Sequence, residues 1–108
     1  MAAKSVFKLS LIEVERLVRK RAALTVNVRL TNHVLARMKL RHITREEVYD
    51  VLCQGRLVRP PEPNTVIGSL ECRMQRFMAG RELAVVAAIS DEDPMLIVVT
   101  AIVLDRGN

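Results

Sequence analysis

The sequence predicts an α+β domain in which helices pack on an antiparallel β-sheet, in the order α-β-α-α-β-β-β. Three observations predict it. The first half repeats apolar residues at helical spacing, and the second half falls into three apolar runs separated by turn residues. The length, 108 residues with 50% apolar, is enough for one packed core and too short for two. Residues 1–108 therefore read as a single domain.

In "KLSLIEVERLVRKRA", Leu11, Val14, Leu17/Val18 and Ala22 recur on one side, with Glu13, Arg16, Arg19 and Lys20 elsewhere on the wheel. This spacing predicts an amphipathic helix over residues 8–22. "LTVNVRL" (24–30) alternates Leu24, Val26, Val28 and Leu30 against Thr25, Asn27 and Arg29, as a half-buried strand near a sheet edge does. Thr31 or Asn32 can cap a second helix with Val34, Leu35 and Met38 inward. That helix must stop near His42, because a new start signal follows. Thr44 and Glu47 form a capping box, and Ile43 and Val48 occupy the positions of a hydrophobic staple. The third helix runs to about Gln54 with Val48, Val51 and Leu52 inward, and Gly55 is a natural C′ residue. "GRLVRPPEPNTVIGS" (55–69) reads as a short extended piece and a proline-broken loop.

Three strand candidates close the chain: "LECRMQRFM" (70–78), "ELAVVAAIS" (82–90) and "MLIVVTAIV" (95–103). Ala79-Gly80 and "DEDP" supply the turns between them. The last two strands are apolar on both faces. Such strands sit at the centre of a helix-covered sheet, or bury one face in an oligomer such as a homodimer.

The charge is uneven. Residues 1–59 hold 13 Lys/Arg against 5 Asp/Glu, a net +8, and residues 60–108 hold 4 against 7, a net −3. A polyanionic partner would meet the first half. With Phe7, Tyr49 and Phe77 as the full aromatic set, broad base-stacking platforms are disfavoured. Cys53 and Cys72 lack C-x-x-C spacing and read as reduced thiols. Glu13 and Glu15 interrupt the apolar start, no cleavage site follows, and no stretch is long enough to span a membrane. A cytoplasmic address is expected.

One constellation carries chemistry. His33, Arg37 and Arg41 recur at i, i+4 and i+8 and share a helix face. Guanidinium groups grip phosphate oxygens bidentately, and an imidazole can move a proton near neutral pH. RNA supplies its own nucleophile, the 2′-OH, so a His/Arg site can cleave it without a metal. Spacing alone fits a solvated helix face better than a site. Arg73 and Arg76, with Arg81, could complete a basic cleft and hold substrate, and Thr100 stands inside an otherwise apolar strand where its hydroxyl could orient the imidazole. His42, in the bend, fits a backbone role better. The third helix carries Glu46, Glu47 and Asp50 against Arg45, which disfavours DNA reading by a helix-turn-helix. No P-loop, nucleophile elbow, metal-ligand spacing or dinucleotide fingerprint is present, so no metal or cofactor is expected.

The segment "TNHVLARMKLRHITREEVYDVLCQGRL" resembles the signature of a bacterial domain-of-unknown-function family, number 4258: a His, then Arg-Met, an Arg, Ile-Ser/Thr, and a Val-containing helix ending in Gly. "GRELAVVAAIS" and "LIVVTAI" resemble its later strands, and the likeness covers about residues 30–103. Residues 24–103 thus read as a family-like core and residues 1–23 as an N-terminal helical extension, a candidate private docking element. His42 stands where relatives commonly place Gly. Such domains look like small toxins of the RelE/BrnT kind. The resemblance implies a RelE-like or barnase-like ribonuclease fold and a metal-independent endoribonuclease of mRNA-interferase type within a toxin–antitoxin pair. Its catalytic residues would be His33, Arg37 and Arg41, with Thr100 closing the signature. Its partners would be RNA, free or ribosome-bound, and a neutralising protein. The alternative is a non-catalytic RNA- or protein-binding module, dimeric through its apolar strands.

Overall fold

The computed structural model describes residues 5–104. Its elements are α1 (Leu11–Ala22), β1 (Val28–Leu30), α2 (Asn32–Leu40), α3 (Arg45–Gln54), β2 (Arg56–Leu57), β3 (Glu62–Asn64), β4 (Ser69–Met78), β5 (Arg81–Ile89) and β6 (Leu96–Leu104). Three helices and a six-stranded sheet make the mixed α+β domain the sequence predicts. The strands lie in the order β1-β6-β5-β4-β2, with β3 also on β4. The three long strands form the expected antiparallel meander. One strand departs from the antiparallel expectation: β1 pairs with β6 in parallel, Val28 opposite Leu96 and Leu30 opposite Val98. The proline-broken loop also contributes more than predicted, because β2 and β3 both pair antiparallel with β4.

α1 starts later than the apolar spacing suggests. Ser10 accepts from the Glu13 amide (3.2 Å) and Glu13 accepts from the Ser10 amide (2.9 Å), a capping box that sets the start at Leu11. Residues 6–8 are a 3-10 turn. The predicted strand over 24–30 shrinks to its last three residues, since Thr25–Asn27 form another 3-10 turn. Leu24 and Val26 are 62% and 78% exposed there. Alternation was present, but a strand needs a neighbour, and β6 offers one from Val28 onward.

Thr31 caps α2 by accepting from the Val34 amide (3.2 Å). The helix ends in a Schellman motif: the Ile43 amide reaches the Met38 carbonyl (2.9 Å) and the His42 amide the Lys39 carbonyl (3.3 Å). His42 takes the left-handed position with φ 56°. That geometry is the physical reason a glycine suits this place. Ile43 and Met38, the hydrophobic pair of the motif, are both buried. The Thr44/Glu47 capping box forms as predicted, with Ile43 and Val48 buried beside it.

Gly55 is needed for a different reason from the one the sequence suggests. Its φ of −75° is open to any residue. A Cβ there would lie 2.3 Å from the Val51 carbonyl oxygen and 2.8 Å from that of Gln75, so glycine permits α3 to end against β4. In contrast, Ala79 and Gly80 have φ of 51° and 79° between the paired Met78 and Arg81, a two-residue turn of type I′.

α1 and α3 cover one face of the sheet. Leu70, Cys72 and Met74 of β4, Leu83, Val85, Ala87 and Ile89 of β5, and Leu96, Val98 and Ala101 of β6 are buried with Val14, Val18, Val48, Val51 and Leu52. α1 is thus part of the core. Glu15 accepts from the Leu57 amide (2.9 Å) and Arg19 donates to the Gly55 carbonyl (2.6 and 3.1 Å), which ties α1 to the exit of α3. The opposite face carries Glu71, Arg73, Gln75, Val86, Ile97, Thr100 and Ile102, with no helix over it among the described residues.

Replacing His42 with Gly relieves the left-handed strain, and unfolding curves should show a gain of about 1 kcal/mol. Gly55→Ala forces backbone apart and should cost about 3 kcal/mol in the same measurement.

Candidate functional site

β6 is longer than the strand beside it. β1 ends opposite Val98, which leaves residues 99–104 of β6 with an open outer edge, and α2 packs along it. The ladder is also irregular there. Val86 pairs with Thr100 and Ala87 with Val98, so Val99 is an extra residue in a β-bulge. Bulges turn the side chains beside them away from the regular alternation. A cleft of about 210 Å³ results, lined by His33, Val34, Arg37, Arg41, Val99, Thr100 and Ala101.

All three helix-face residues and Thr100 therefore line one concavity, although Arg41 and Thr100 are 59 positions apart in the chain. Their roles in the fold differ. Arg41 is half-buried and donates to the Ala101 carbonyl (2.9 Å), so one of its five N–H groups satisfies the open strand edge. His33 and Arg37 are exposed, and neither side chain has a hydrogen bond or ion pair among the described residues.

The other predicted residues lie outside this cleft. Arg73 sits on the open face in one row with Val86 and Thr100, two strands or about 10 Å from β6. Its Nε is buried without a hydrogen-bond partner. Arg76 is on the helix-covered side and pairs with Asp50 of α3 (3.3 Å), both side chains more than a third exposed. Such a pair adds little stability, and it turns Arg76 away from the cleft.

Arg81 is a structural residue rather than a wall of the cleft. Its guanidinium donates to the carbonyls of Arg41 (3.3 Å) and His42 (2.6 Å) and to both carboxylate oxygens of Glu47 (2.9 and 3.0 Å). A cation thus caps the last carbonyls of α2 and fixes the bend to α3. Glu47 is held below the usual carboxylate range, first by the Thr44 amide and further by Arg81, against the opposing effect of burial. His42 contributes its backbone to this network, as the sequence suggests.

Burial pushes the Cys72 thiol up to about 12 and also raises Cys53, where Asp50 adds to the effect, so neither is an activated nucleophile. Both cysteines are free. Among the described residues no group of three or more His, Cys, Asp or Glu could hold a metal ion, and no helix is long and apolar enough to cross a membrane.

A concavity of about 720 Å³ lies between the N-terminal segment and α1, with Val6, Leu9 and Leu17 among its walls. It holds none of the predicted site residues. Asp91 closes one end by accepting from the Ser5 hydroxyl and the Val6 amide (both 2.7 Å), bonds that also lower its carboxyl pKa. The turn reading of "DEDP" does not reveal this bond to a segment 85 residues earlier. The bulge, too, escaped the sequence: "LIVVTAI" alternates no differently from a regular buried strand.

Residues 30–103 match the sequence profile of a family described as a domain of unknown function, DUF4258. The chain belongs to this family. Comparisons with curated proteins and with solved structures return no match. The matched span of this DUF4258 domain contains every residue that lines the cleft, and it leaves out α1, whose Val14, Val18 and Ala22 nevertheless complete the core.

Because Glu47 titrates below its ordinary value of 4.5 in the folded chain, its stabilisation is complete above that pH and is lost as pH falls through the folded value. Glu47→Gln should lower stability at pH 7 by about 1–2 kcal/mol and flatten the loss of stability between pH 5 and 3. Denaturant titrations across that range check both.

Proposed function

We propose that this DUF4258 domain is a small metal-independent endoribonuclease, of the toxin kind that acts on mRNA and is neutralised by a protein partner. One observation carries the reading: a histidine and an arginine with no partner among the described residues share a polar cleft with a second arginine and a threonine from a distant strand. Unpartnered groups that converge on one concavity, at no benefit to stability, are what a binding or reacting site requires.

The chemistry follows from the residues. Arg37 and the remaining N–H groups of Arg41 hold the phosphodiester oxygens. His33, in the first turn of α2, stands where the helix dipole also favours an anion. Its imidazole takes the 2′-OH proton as the 2′-oxygen attacks phosphorus. The O2′–P bond forms, the P–O5′ bond breaks, and the 5′-oxygen is protonated from solvent. The products are a 2′,3′-cyclic phosphate and a 5′-hydroxyl. Arg37 stabilises the charge that builds on the phosphoryl oxygens. Thr100 is offered as a hydroxyl for the same group, and Arg73 as an outer contact for the flanking strand.

A second reading, a non-catalytic RNA- or protein-binding module, rests on the uncovered sheet face, where Phe77 is 54% exposed and Val99 41%.

The test is incubation of total RNA and of translating ribosomes with the purified chain in EDTA, with mapping of the ends. Cleavage that persists in chelator, leaves cyclic phosphate ends and drops about a hundredfold or more in Arg37→Ala and His33→Ala is the expected result. Cleavage unchanged in a folded His33→Ala variant would sink the assignment. No cleavage by the folded wild-type chain on either substrate would favour the binding module.

A further inference from the structure

A second groove adjoins the cleft on the open sheet face. It measures about 250 Å³, and Val99, the bulged residue, is a wall of both. Ile67, Met95 and Ile97 give it apolar sides. Its floor holds two polar groups that the fold leaves unused. Ser69 is 6% exposed, and its Oγ is buried with no hydrogen-bond partner. Glu71 is half-buried, accepts no hydrogen bond and joins no ion pair among the described residues. Glu71 also lies directly opposite Glu62 in the ladder, a like-charge pairing that disfavours the sheet. Arg59 relieves Glu62 (3.0 Å), and no cation pairs with Glu71 among the described residues.

A buried hydroxyl without a partner is costly unless a ligand completes it, and the half-buried carboxylate beside it is open to a donor. The walls are largely aliphatic, which suits the apolar faces of a ring. The polar floor offers acceptors, so the ring must present N–H donors at its edge. Continuity with the phosphate cleft through Val99 identifies the kind of ring: a nucleobase attached to the phosphate held by Arg37 and Arg41. Among the bases, guanine presents two adjacent donors, N1–H and the 2-amino group, that match the two oxygens of one carboxylate. Cytosine and adenine offer a single exocyclic amino group to it, and uracil a lone ring N–H.

We infer that the groove is a base-recognition slot selective for guanine, with Glu71 accepting from N1–H and the 2-amino group and Ser69 completing the edge. This rests on the phosphate reading of the neighbouring cleft. Val99 sets the spacing between the two subsites, and the net negative charge of this half of the chain keeps a second phosphate off the slot. Glu71 thereby selects which phosphodiester enters the cleft and takes no part in the proton transfer.

The test titrates the full chain with each of the four ribonucleoside 3′-monophosphates by calorimetry. Guanosine 3′-monophosphate should bind about tenfold or more tighter than the others, as expected for one bidentate base contact. Glu71→Gln should erase that preference and leave the common phosphate-dependent affinity, whereas Arg37→Ala should weaken all four alike. Glu71 makes no bond among the described residues and faces Glu62 across the ladder, so Glu71→Gln should keep or raise the unfolding midpoint. Ser69→Ala, which removes an unpartnered hydroxyl, provides a second folded variant, with a reduced guanine preference expected. Equal affinity for all four, insensitive to Glu71→Gln yet lost in Arg37→Ala, overturns the slot and leaves the phosphate site standing. Guanosine binding that responds to Glu71→Gln but not to Arg37→Ala supports the slot and overturns the phosphate reading. Absence of binding by every nucleotide overturns both.

Discussion

The candidate site depends on one mismatch in the sheet, the early end of β1. Had β1 continued past Leu30, the outer edge of β6 would be paired and α2 could not lie along it. Because it ends opposite Val98, the carbonyl of Ala101 must find a donor elsewhere. Arg41 supplies it at 2.9 Å. That bond ties the last turn of α2 to the open strand, and the rest of the helix face follows. One turn back stands Arg37 and another turn back His33, both directed to the same cleft by the 3.6-residue repeat.

The rotational setting of α2 is fixed a second time from β5. Arg81 donates to the carbonyls of Arg41 and His42 and grips both oxygens of Glu47, which itself caps α3 at Thr44. Arg81 follows immediately on the Ala79-Gly80 turn, so the tightest hairpin of the sheet delivers the cation that orders the helical bend. With the Schellman hydrogen bonds of Ile43 and His42, the bend has few degrees of freedom left. Catalytic or binding geometry demands such over-determination, since a displacement of about 1 Å is costly to a site. The strained φ of His42 sits at this junction and not within the cleft, so its cost is borne by the turn chemistry.

Local signals in the sequence gave reliable elements where the cause of structure is itself local. The Thr44–Glu47 capping box, the Ala79-Gly80 turn and the periodicity of the meander strands all appear as read. Failures cluster where a distant partner decides. Alternation over 24–30 could not reveal that β6 has room for three residues of β1, nor that their pairing is parallel. The proline-rich segment could not reveal that β4 accepts both β2 and β3. Gly55 is legible as a helix end, yet its reason lies in two carbonyls that crowd it, Val51 in the last turn of α3 and Gln75 on β4, 20 residues away. The site shows the same division. Helical spacing put His33, Arg37 and Arg41 together, and Thr100 stood out as a hydroxyl inside an apolar strand, a position the resemblance also includes. Arg73 and Arg76, grouped in one cleft by the sequence reading, fall on opposite faces of β4; which face α3 would cover is not encoded locally, and it is that face which takes Arg76 to Asp50.

The same distinction gives the uneven charge a physical meaning. Basic residues of the first half are not a uniform attractive field, because the fold spends several of them on carbonyls. Arg19 holds Gly55, Arg21 holds Ser90 and Asp93, and Arg41 holds Ala101. Each guanidinium bridges segments far apart in the chain, which suits a group with several donors in a planar fork. Net charge therefore overstates what is left for a partner. Among the described residues Arg37 stands apart from these: it is unpaired, it shares a polar cleft with an unpaired histidine, and it faces a strand bulge. Selectivity for an anion at this domain consequently rests on the geometry of one helix face more than on the overall excess of positive charge.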